Sequence, residues 1–368
     1  MKKYEYIDSL RGLAILGVIF VHTSQSISDL HPFVKNICNY GKHGVQLFFF
    51  VSAYTLCLSK EGRENEDKAN IKYFIRRFFR IAPLYYFGIL LYGVIYYMRG
   101  HDIIPSFNVN VENSWTSIFR HLTFTQSLSP GPIFQAVPGG WSIGTEMMFY
   151  LIFPFLFSKI SSLSKKWIII SLPIAAAISA FVFFRALPHL FPPVSKHDFN
   201  FYYCTLLNQL PVFLMGICFY TIFKNKVYDT KQGLLFFMAF MFLSLIMLTV
   251  KYFDLSDISL FPFFTSVTFA FLFFAFKSIE QLNFKFLQLI GRVSFSIYLF
   301  HFIFAWGIST YINQALVGKL SSVFVLTLCL AVTTLGTLLM AIVTKQFIED
   351  KGIAMGSKLI KKLSKIKE

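Results

Sequence analysis

The chain has 368 residues, with 34 Lys and Arg against 18 Asp and Glu and a formal net charge of +16. Only 14% of its residues are charged, about half of the roughly 25% usual in soluble domains. This argues against a soluble multidomain enzyme, and a hydrophobic content of 55% argues against a disordered chain. The basic surplus does not indicate nucleic-acid binding, because the apolar runs leave no room for a basic face on a soluble fold. The composition therefore predicts an all-α, polytopic membrane protein embedded in a lipid bilayer.

A membrane-spanning helix needs about 20 mostly apolar residues, and the sequence has ten candidate runs. In chain order they lie near residues 10–27, 44–59, 81–98, 142–158, 167–184, 205–223, 232–250, 259–276, 289–311 and 321–344. Connections are short except at 60–80 and 99–141, and no segment outside the runs could bury its own core. We therefore expect one domain over 1–368, ending in a basic cytoplasmic tail at about 346–368.

The basic residues divide unevenly between the two sides that these runs define. If the N-terminus is cytoplasmic, cytoplasmic segments hold 26 of the 34 Lys and Arg residues and outside segments hold 8. Cytoplasmic loops of membrane proteins carry such an excess. The split predicts an even number of spans and two cytoplasmic termini.

The first run places two ionisable residues on one helix face. Arg11 and His22 are eleven residues apart, which at 100° per residue is about 20° past three full turns, with a rise of about 16 Å. With Arg11 at the cytoplasmic interface, His22 lies near the midplane, where a neutral imidazole can act as a base. Asp8, one turn earlier, can pair with Arg11. The alternative is a snorkelling Arg and a His bonded to a backbone carbonyl.

Arg77 and Arg80 lie three residues apart at the cytoplasmic mouth of the third run. They share a helix face, and two forked guanidinium groups suit phosphates. The alternative is that they are ordinary positive-inside residues.

The fourth run opens with Trp141 and Ser142 and holds Glu146, one turn from both Ser142 and Tyr150. A carboxylate inside an apolar run needs a partner, so Glu146 is a candidate functional residue or one end of a structural hydrogen bond.

In the ninth run, His301 lies about 18 Å from the start near Leu289, again near the midplane, with Tyr298 one turn away. Taken alone, His301 fits a core histidine satisfied by a hydroxyl. Its predicted depth matches that of His22, which favours one shared site.

The five cysteines form no Cys-x-x-Cys pair and are odd in number, so we expect small buried side chains and neither disulfides nor a metal site. They are Cys38, Cys57, Cys204, Cys218 and Cys329.

Five stretches together resemble the acyltransferase-3 family of integral membrane acyltransferases, in its stand-alone form. They are Asp8-Ser9-Leu10-Arg11-Gly12-Leu13-Ala14 with His22; Gly44-Val45-Gln46-Leu47-Phe48-Phe49-Phe50-Val51-Ser52; Arg77-x-x-Arg80-Ile81-x-Pro83; Trp141-Ser142-x3-Glu146-x2-Phe149-Tyr150-x3-Pro154; and Ser294-Phe295-Ser296-Ile297-Tyr298-Leu299-x-His301. Each is weak alone, but they occur in family order and cover nearly the whole chain. Three places depart from the family pattern. Ser52-Ala53-Tyr54 stands where Ser-Gly-Phe is frequent, and Gln46 stands where an acidic residue is frequent. Gln209 lies where an Arg and a Glu are common, which puts a charge contact there in doubt.

The resemblance implies about ten helices around a central cavity, in the inner membrane of a bacterium. It implies transfer of an acyl group, usually acetyl, from cytoplasmic acyl-CoA to a hydroxyl of an envelope carbohydrate, either a polysaccharide or its lipid-linked precursor. Arg11 and His22 map to a pair needed for activity in the family, and Arg77 and Arg80 map to a motif associated with CoA.

On this basis we predict an acyl-CoA-dependent O-acyltransferase. Its catalytic residues would be His22, Arg11, Glu146, His301 and Tyr298; its CoA-binding residues Arg77, Arg80 and Arg11; its acceptor-binding residues Ser142, Trp141 and Tyr150. His22 would deprotonate the acceptor or carry the acyl group transiently. Arg11 would hold an anionic CoA group or orient the His face. Glu146 would orient an imidazole or bind sugar hydroxyls. His301 and Tyr298 would stabilise the oxyanion. The alternative function is a transporter or flippase of a lipid-linked sugar, although the paired broken helices and repeats of many transporters are not evident.

Overall fold

The computed structural model describes residues 4–101, 103, 114–128, 136–190, 201–253 and 260–365. Across these ranges the regular structure is helical, as predicted. The α-helices, numbered here in chain order, are α1 Glu5–Ser24, α2 Pro32–Tyr40, α3 Gly44–Glu61, α4 Ala69–Gly100, α5 Trp115–Leu122, α6 Gly140–Ser161, α7 Lys166–Leu190, α8 Leu206–Phe223, α9 Thr230–Tyr252, α10 Phe261–Ser278, α11 Lys285–Arg292, α12 Ser294–Phe302, α13 Ser309–Leu316, α14 Ser322–Thr344 and α15 Asp350–Lys365.

Among the described residues, nine helical segments are long and apolar enough to cross a membrane. The tenth predicted run is α3, whose 18 residues rise about 27 Å but include polar positions. Most of α3 is buried inside the bundle, so its side chains face other helices. A helix whose side chains face other helices does not need a lipid-facing apolar surface, so α3 tolerates these polar positions.

Helix α1 lies at the centre of the bundle and packs against α2, α3, α11, α12 and α14. Two glycines permit its closest approach to α11. A Cβ on Gly291 would lie 1.8 Å from the carbonyl oxygen of Asp8, and one on Gly12 would lie 2.1 Å from that of Leu287. These positions fix the lateral placement of the helix that holds both Arg11 and His22.

Two segments predicted as connections or tail are helical. α4 begins at Ala69, about three turns before the predicted span, so it carries Arg77 and Arg80 on the same rigid element as the span. α15 covers most of the predicted basic tail and packs along α4. A Cβ on Gly352 would lie 2.8 Å from the carbonyl oxygen of Phe79, and that close approach holds the two helices together.

The five cysteines are buried and free, which confirms their prediction as buried side chains. Cys218 donates to the carbonyl of Ile169 at 3.0 Å. Cys329 of α14 is fully buried, with its thiol 3.8 Å from the carbonyl oxygen of Ser309 on α13.

Candidate active site

Three cavities follow one another through the bundle and share lining residues. A cavity of about 540 Å³, here the basic cavity, lies among α1, α3, α4 and α15. A cavity of about 80 Å³, the middle cavity, shares Arg11, Arg77 and Arg80 with it. A cavity of about 550 Å³, the histidine cavity, shares Val45 and Tyr298 with the middle one. The series extends from the arginine cluster to His22.

The basic cavity is dominated by positive charge. Asp8 is the acidic residue among its described lining. Five arginines line it: Arg11, Arg63, Arg76, Arg77 and Arg80. Three of the five, Arg11, Arg77 and Arg80, are the predicted CoA-binding residues. Ile353 and Ser357 of α15 also line this cavity, so the predicted tail forms part of its wall.

Arg77 is held by aromatic rings on two helices. Its guanidinium carbon lies 5.8 Å from the ring centroid of Tyr73 and 5.7 Å from that of Tyr150. These cation–π contacts orient the side chain while its charge remains available to an anion. Arg80 interacts electrostatically with Glu349, a buried carboxylate outside the predicted site that accepts a 3.2 Å hydrogen bond from Ser296.

Asp8 does not form the predicted pair with Arg11. Its carboxylate lies 3.3 Å from Nε of Arg292, while Arg11 donates a 3.2 Å hydrogen bond to Thr55 on α3. The close contact of α1 with α11 at Gly291 brings Arg292 beside Asp8, and Arg11 extends instead toward the middle cavity. A weaker attraction between Asp8 and Arg11 remains.

Glu146 lies in the middle cavity and has two hydroxyl partners. Tyr150 donates to its Oε1 at 2.6 Å, and Ser52 donates to the same oxygen at 2.5 Å. Arg11 and Arg77 attract it electrostatically. Among the described residues its hydrogen bonds go to hydroxyls and not to an imidazole, so the predicted role in orienting a histidine has no contact to support it.

Tyr298 and Ser142 meet between the middle cavity and the histidine cavity. Their hydroxyl oxygens are 2.7 Å apart, and the Tyr298 hydroxyl also donates to the carbonyl of Gly139 at 3.0 Å. Trp141, one residue before Ser142, lines the histidine cavity instead and contacts the ring of Tyr203 at 6.0 Å between centroids. The predicted acceptor residues are therefore divided between the two cavities.

His22 and His301 are brought together, their ring centroids 5.2 Å apart. His22 lines the histidine cavity, whereas His301 is completely buried and its Nδ1 lies 2.7 Å from the carbonyl oxygen of Tyr298. Their similar predicted depth favoured one shared site, and the contact between the two rings agrees with that expectation.

Two contacting residues of His22 were missed by the sequence analysis. Gln25 lies 3.0 Å from Nδ1 of His22, and Trp306 lies 3.1 Å from the same Gln25 oxygen. Gln25 is one turn after His22, a spacing that could have drawn attention to it. Trp306 lies in a π-helical segment, Ile303–Ile308, and a helix period alone does not locate such a turn.

Around Gln46 and Gln209, where the sequence puts the family's charge contact in doubt, the structure has hydrogen bonds between neutral groups. Nε2 of Gln46 donates to Oε1 of Gln209 at 3.1 Å and to the hydroxyl of Tyr203 at 2.7 Å. Two amides thus join α3 and α8 without an ion pair at these positions. Among the described residues, no group of three His, Cys, Asp or Glu is placed to hold a metal ion.

The architecture is that of a multi-pass helical membrane protein with a line of polar cavities through its centre. The family model of the acyltransferase-3 domain matches residues 4–342, so the chain belongs to that family of membrane acyltransferases.

The chain is also similar to curated acyltransferases. It is 31% identical over 160 residues to the peptidoglycan O-acetyltransferase OatA of Listeria monocytogenes, covering 40% of this chain and 23% of that protein. It is 28% identical over 155 residues to the acyltransferase MdmB of Streptomyces mycarofaciens, covering 40% of this chain and 38% of that protein. The chain thus spans well under half the length of these relatives. No solved structure matches it.

Proposed function

We propose that this protein transfers an acyl group, acetyl in the simplest case, from acyl-CoA to a hydroxyl of an envelope carbohydrate. We place it in the cytoplasmic membrane of a bacterium, with the basic cavity open to the cytoplasm. The observation that carries the proposal is the line of cavities, which connects five arginines at one end to His22 at the other.

The charge distribution supports CoA as the donor. Phosphates bind well to forked guanidinium groups, and the basic cavity presents several of them on α1, α4 and the loop that follows α3. The acyl-bearing arm of CoA would extend from Arg77 and Arg80 into the middle cavity. The separation of Arg11 and His22 along α1, about 16 Å, is the depth that the thioester would have to reach.

The reaction in the histidine cavity is the transfer of the acyl group from the thioester sulfur to the acceptor oxygen. His22 takes the proton of the acceptor hydroxyl as the oxygen attacks the thioester carbon. The carbon–oxygen bond forms, the carbon–sulfur bond breaks, and the proton passes to the departing CoA thiolate. Tyr298 lies beside this position, where its hydroxyl would stabilise the negative charge on the carbonyl oxygen.

The test is the transfer of radiolabelled acetyl from acetyl-CoA to the glycan fraction of membranes that contain His22→Ala. We expect transfer to fall to background. His101→Ala is the matched control, since His101 is exposed at the end of α4, and it should keep full activity. Undiminished transfer by a well-expressed His22→Ala protein would contradict the role of His22 as base.

Binding of CoA separates this function from transport of a lipid-linked sugar. An acyltransferase that uses CoA should be protected by CoA against thermal unfolding. If CoA gives no thermal protection and no acetyl is transferred, the result would favour transport of a lipid-linked sugar.

A further inference from the structure

Gln25 connects His22 to Trp306 through a single oxygen atom. Oε1 of Gln25 lies 3.0 Å from Nδ1 of His22 and 3.1 Å from Nε1 of Trp306. An indole N–H donates hydrogen bonds and cannot accept them. The Gln25 atom that Trp306 contacts must therefore be the amide oxygen, and this fixes the orientation of the amide.

The orientation of that amide determines the tautomer of His22. The amide oxygen carries no hydrogen, so the hydrogen bond to His22 requires a hydrogen on Nδ1. A neutral imidazole has only one ring N–H, so the lone pair lies on Nε2. Trp306 thus selects the Gln25 orientation, and Gln25 selects the basic nitrogen of His22.

The aromatic neighbours of His22 hold its ring in place for this contact. Its centroid lies 4.5 Å from that of Phe302 and 5.4 Å from that of Trp306, whose ring is nearly perpendicular to it at 89°. Trp306 reaches this position from the π-helical segment Ile303–Ile308. A shift of one residue turns a helical side chain by about 100°, so the extra residue of the π turn decides that Trp306 faces Gln25.

His301 has the same arrangement of hydrogens. Its Nδ1 donates to the carbonyl of Tyr298 at 2.7 Å, and its Nε2 is buried with no partner among the described residues. Two adjacent imidazoles each therefore keep a lone pair on Nε2, and a hydrogen for either has to come from a bound molecule.

We infer that Gln25 and Trp306 are positioning residues that hold His22 as its Nδ1–H tautomer, so that Nε2 is the nitrogen that removes the acceptor proton. This inference rests on the proposed acyl transfer and assigns the proton to a particular atom. The hydroxyl proton moves to Nε2 and then to the CoA sulfur. Throughout, Nδ1 keeps its own hydrogen and donates it in the hydrogen bond to Gln25.

Other titratable groups also affect the charge of His22. His301 faces it directly at 5.2 Å between centroids. The remaining ones on the wall of the same cavity, in the described part of the chain, are Tyr40, Lys42, His43, Tyr203, Cys204, Lys251 and Tyr298. All of them are unchanged in the variants below, so a change in pH dependence reports on position 25.

The test measures acetyl transfer from acetyl-CoA to membrane glycan with variants of Gln25 and Trp306. Gln25→Leu removes the acceptor and should lower kcat by about 10- to 100-fold, as losses of such supporting contacts do, with KM for acetyl-CoA within about twofold. Gln25→Glu keeps an oxygen for both donors and should recover most of kcat at alkaline pH. Its carboxylate favours the imidazolium, so the acidic limb of the pH–activity profile should move to higher pH.

A double variant tests the connection to Trp306. Trp306→Phe frees the amide to turn, so it should lower kcat, and Gln25→Leu/Trp306→Phe should be no worse than Gln25→Leu alone. Gln314→Leu, an exposed glutamine on α13, is the control and should retain full activity. CoA protection against thermal unfolding establishes that each variant is folded.

Failure of this inference differs from failure of the proposed function. If the unmodified protein transfers acetyl and His22→Ala does not, but folded Gln25→Leu keeps kcat within about twofold, the positioning role is wrong and the function stands. An unmoved acidic limb in Gln25→Glu also overturns it. If the unmodified protein neither transfers acetyl nor binds CoA, the proposed function itself is wrong.

Discussion

The hydroxyl of Tyr150 donates a 2.6 Å hydrogen bond to Oε1 of Glu146, one helical turn away on α6. Ser52 on α3 donates to the same oxygen, so two hydroxyls on two helices hold one oxygen of the carboxylate. Arg11, Arg77 and Arg80 line the same cavity. Glu146 is the acidic residue among the described lining of this cavity, so its charge offsets part of the positive charge of the three arginines.

The charge of Glu146 leads to a prediction about CoA. Glu146→Gln keeps the shape of the side chain but removes the carboxylate charge from the middle cavity, where Asp8 and Glu349 offset the arginines only in part. We therefore expect a loss of roughly 1–3 kcal/mol of stability without ligand. CoA phosphates should restore that balance, so CoA should raise the melting temperature more for this variant than for the unmodified protein. Thermal unfolding in detergent measures both effects, with the exposed Glu280→Gln as control. Equal stability of Glu146→Gln and the unmodified protein, with equal CoA shifts, would contradict this account.

Arg77 and Arg80 should contribute to donor binding through their forked geometry as well as their charge. Arg77→Lys and Arg80→Lys keep the charge and lose the bidentate contact, so KM for acetyl-CoA should rise by roughly tenfold with kcat little changed. Arg99→Lys, at the opposite end of α4, makes the same chemical change far from the basic cavity and should have no effect. A KM unchanged in both arginine variants would place CoA elsewhere.

Tyr298 should contribute to catalysis through its hydroxyl, because a phenylalanine ring would fill the same space. Tyr298→Phe removes the contacts with Ser142 and Gly139 and should lower kcat by about 100-fold if the hydroxyl stabilises the oxyanion. Steady-state kinetics with varied acetyl-CoA gives kcat and KM separately. Tyr97→Phe, at an exposed tyrosine, is the control and should leave kcat and KM unchanged. A drop in stability without a drop in kcat would indicate a structural hydroxyl.

The contact of α1 with α11 should be intolerant of any side chain at Gly291. A methyl group there would lie 1.8 Å from a backbone carbonyl, so Gly291→Ala has to separate the two helices. We expect a loss of about 3 kcal/mol or more, seen as aggregation or a much lower melting temperature in detergent. Gly93→Ala on α4 has no atom within 4 Å of the new methyl group and should be neutral or slightly stabilising. Similar behaviour of the two variants would mean that this contact does not hold α1.

The loop before α4 should give a pH-dependent contribution to stability. Arg76 donates to both carboxylate oxygens of Glu66, at 3.2 and 2.8 Å, and these hydrogen bonds lower the pKa of Glu66. The carboxylate therefore stabilises the fold above the unfolded pKa of about 4.3. That stabilisation disappears as the pH falls through the lower pKa of the folded state. Since the pair is partly exposed, it contributes up to about 1 kcal/mol.

Thermal unfolding between pH 7 and pH 3 checks this contribution. The unmodified protein should exceed Glu66→Gln in melting temperature at pH 7, and the gap should close toward pH 3. Glu64→Gln makes the same change at an exposed neighbour and should follow the unmodified protein throughout. A gap that is independent of pH would show that the carboxylate charge is not its source.

The sequence predicted the elements well because the signals for them are local. Apolar length located the spans. The helix period predicted Arg11 and His22 on one face, and the helix rise predicted similar depths for His22 and His301, whose rings lie together in the structure. Its errors lie at contacts between helices. Asp8 pairs with Arg292, nearly three hundred residues away, because Gly291 lets α11 approach α1, and no pattern within either helix indicates that choice.

What the sequence alone determined is thus the class of protein, its spans and the side chains able to do acid–base or phosphate-binding chemistry. The tertiary structure decided which of them meet: the three arginines around Glu146, the Tyr298–Ser142 contact between two cavities, and the Gln25 oxygen shared by His22 and Trp306. The physical reason is that helix periodicity constrains residues on one helix only. Their partners on other helices depend on glycine contacts, a π turn and helix extensions, which set the rotation and spacing of each pair.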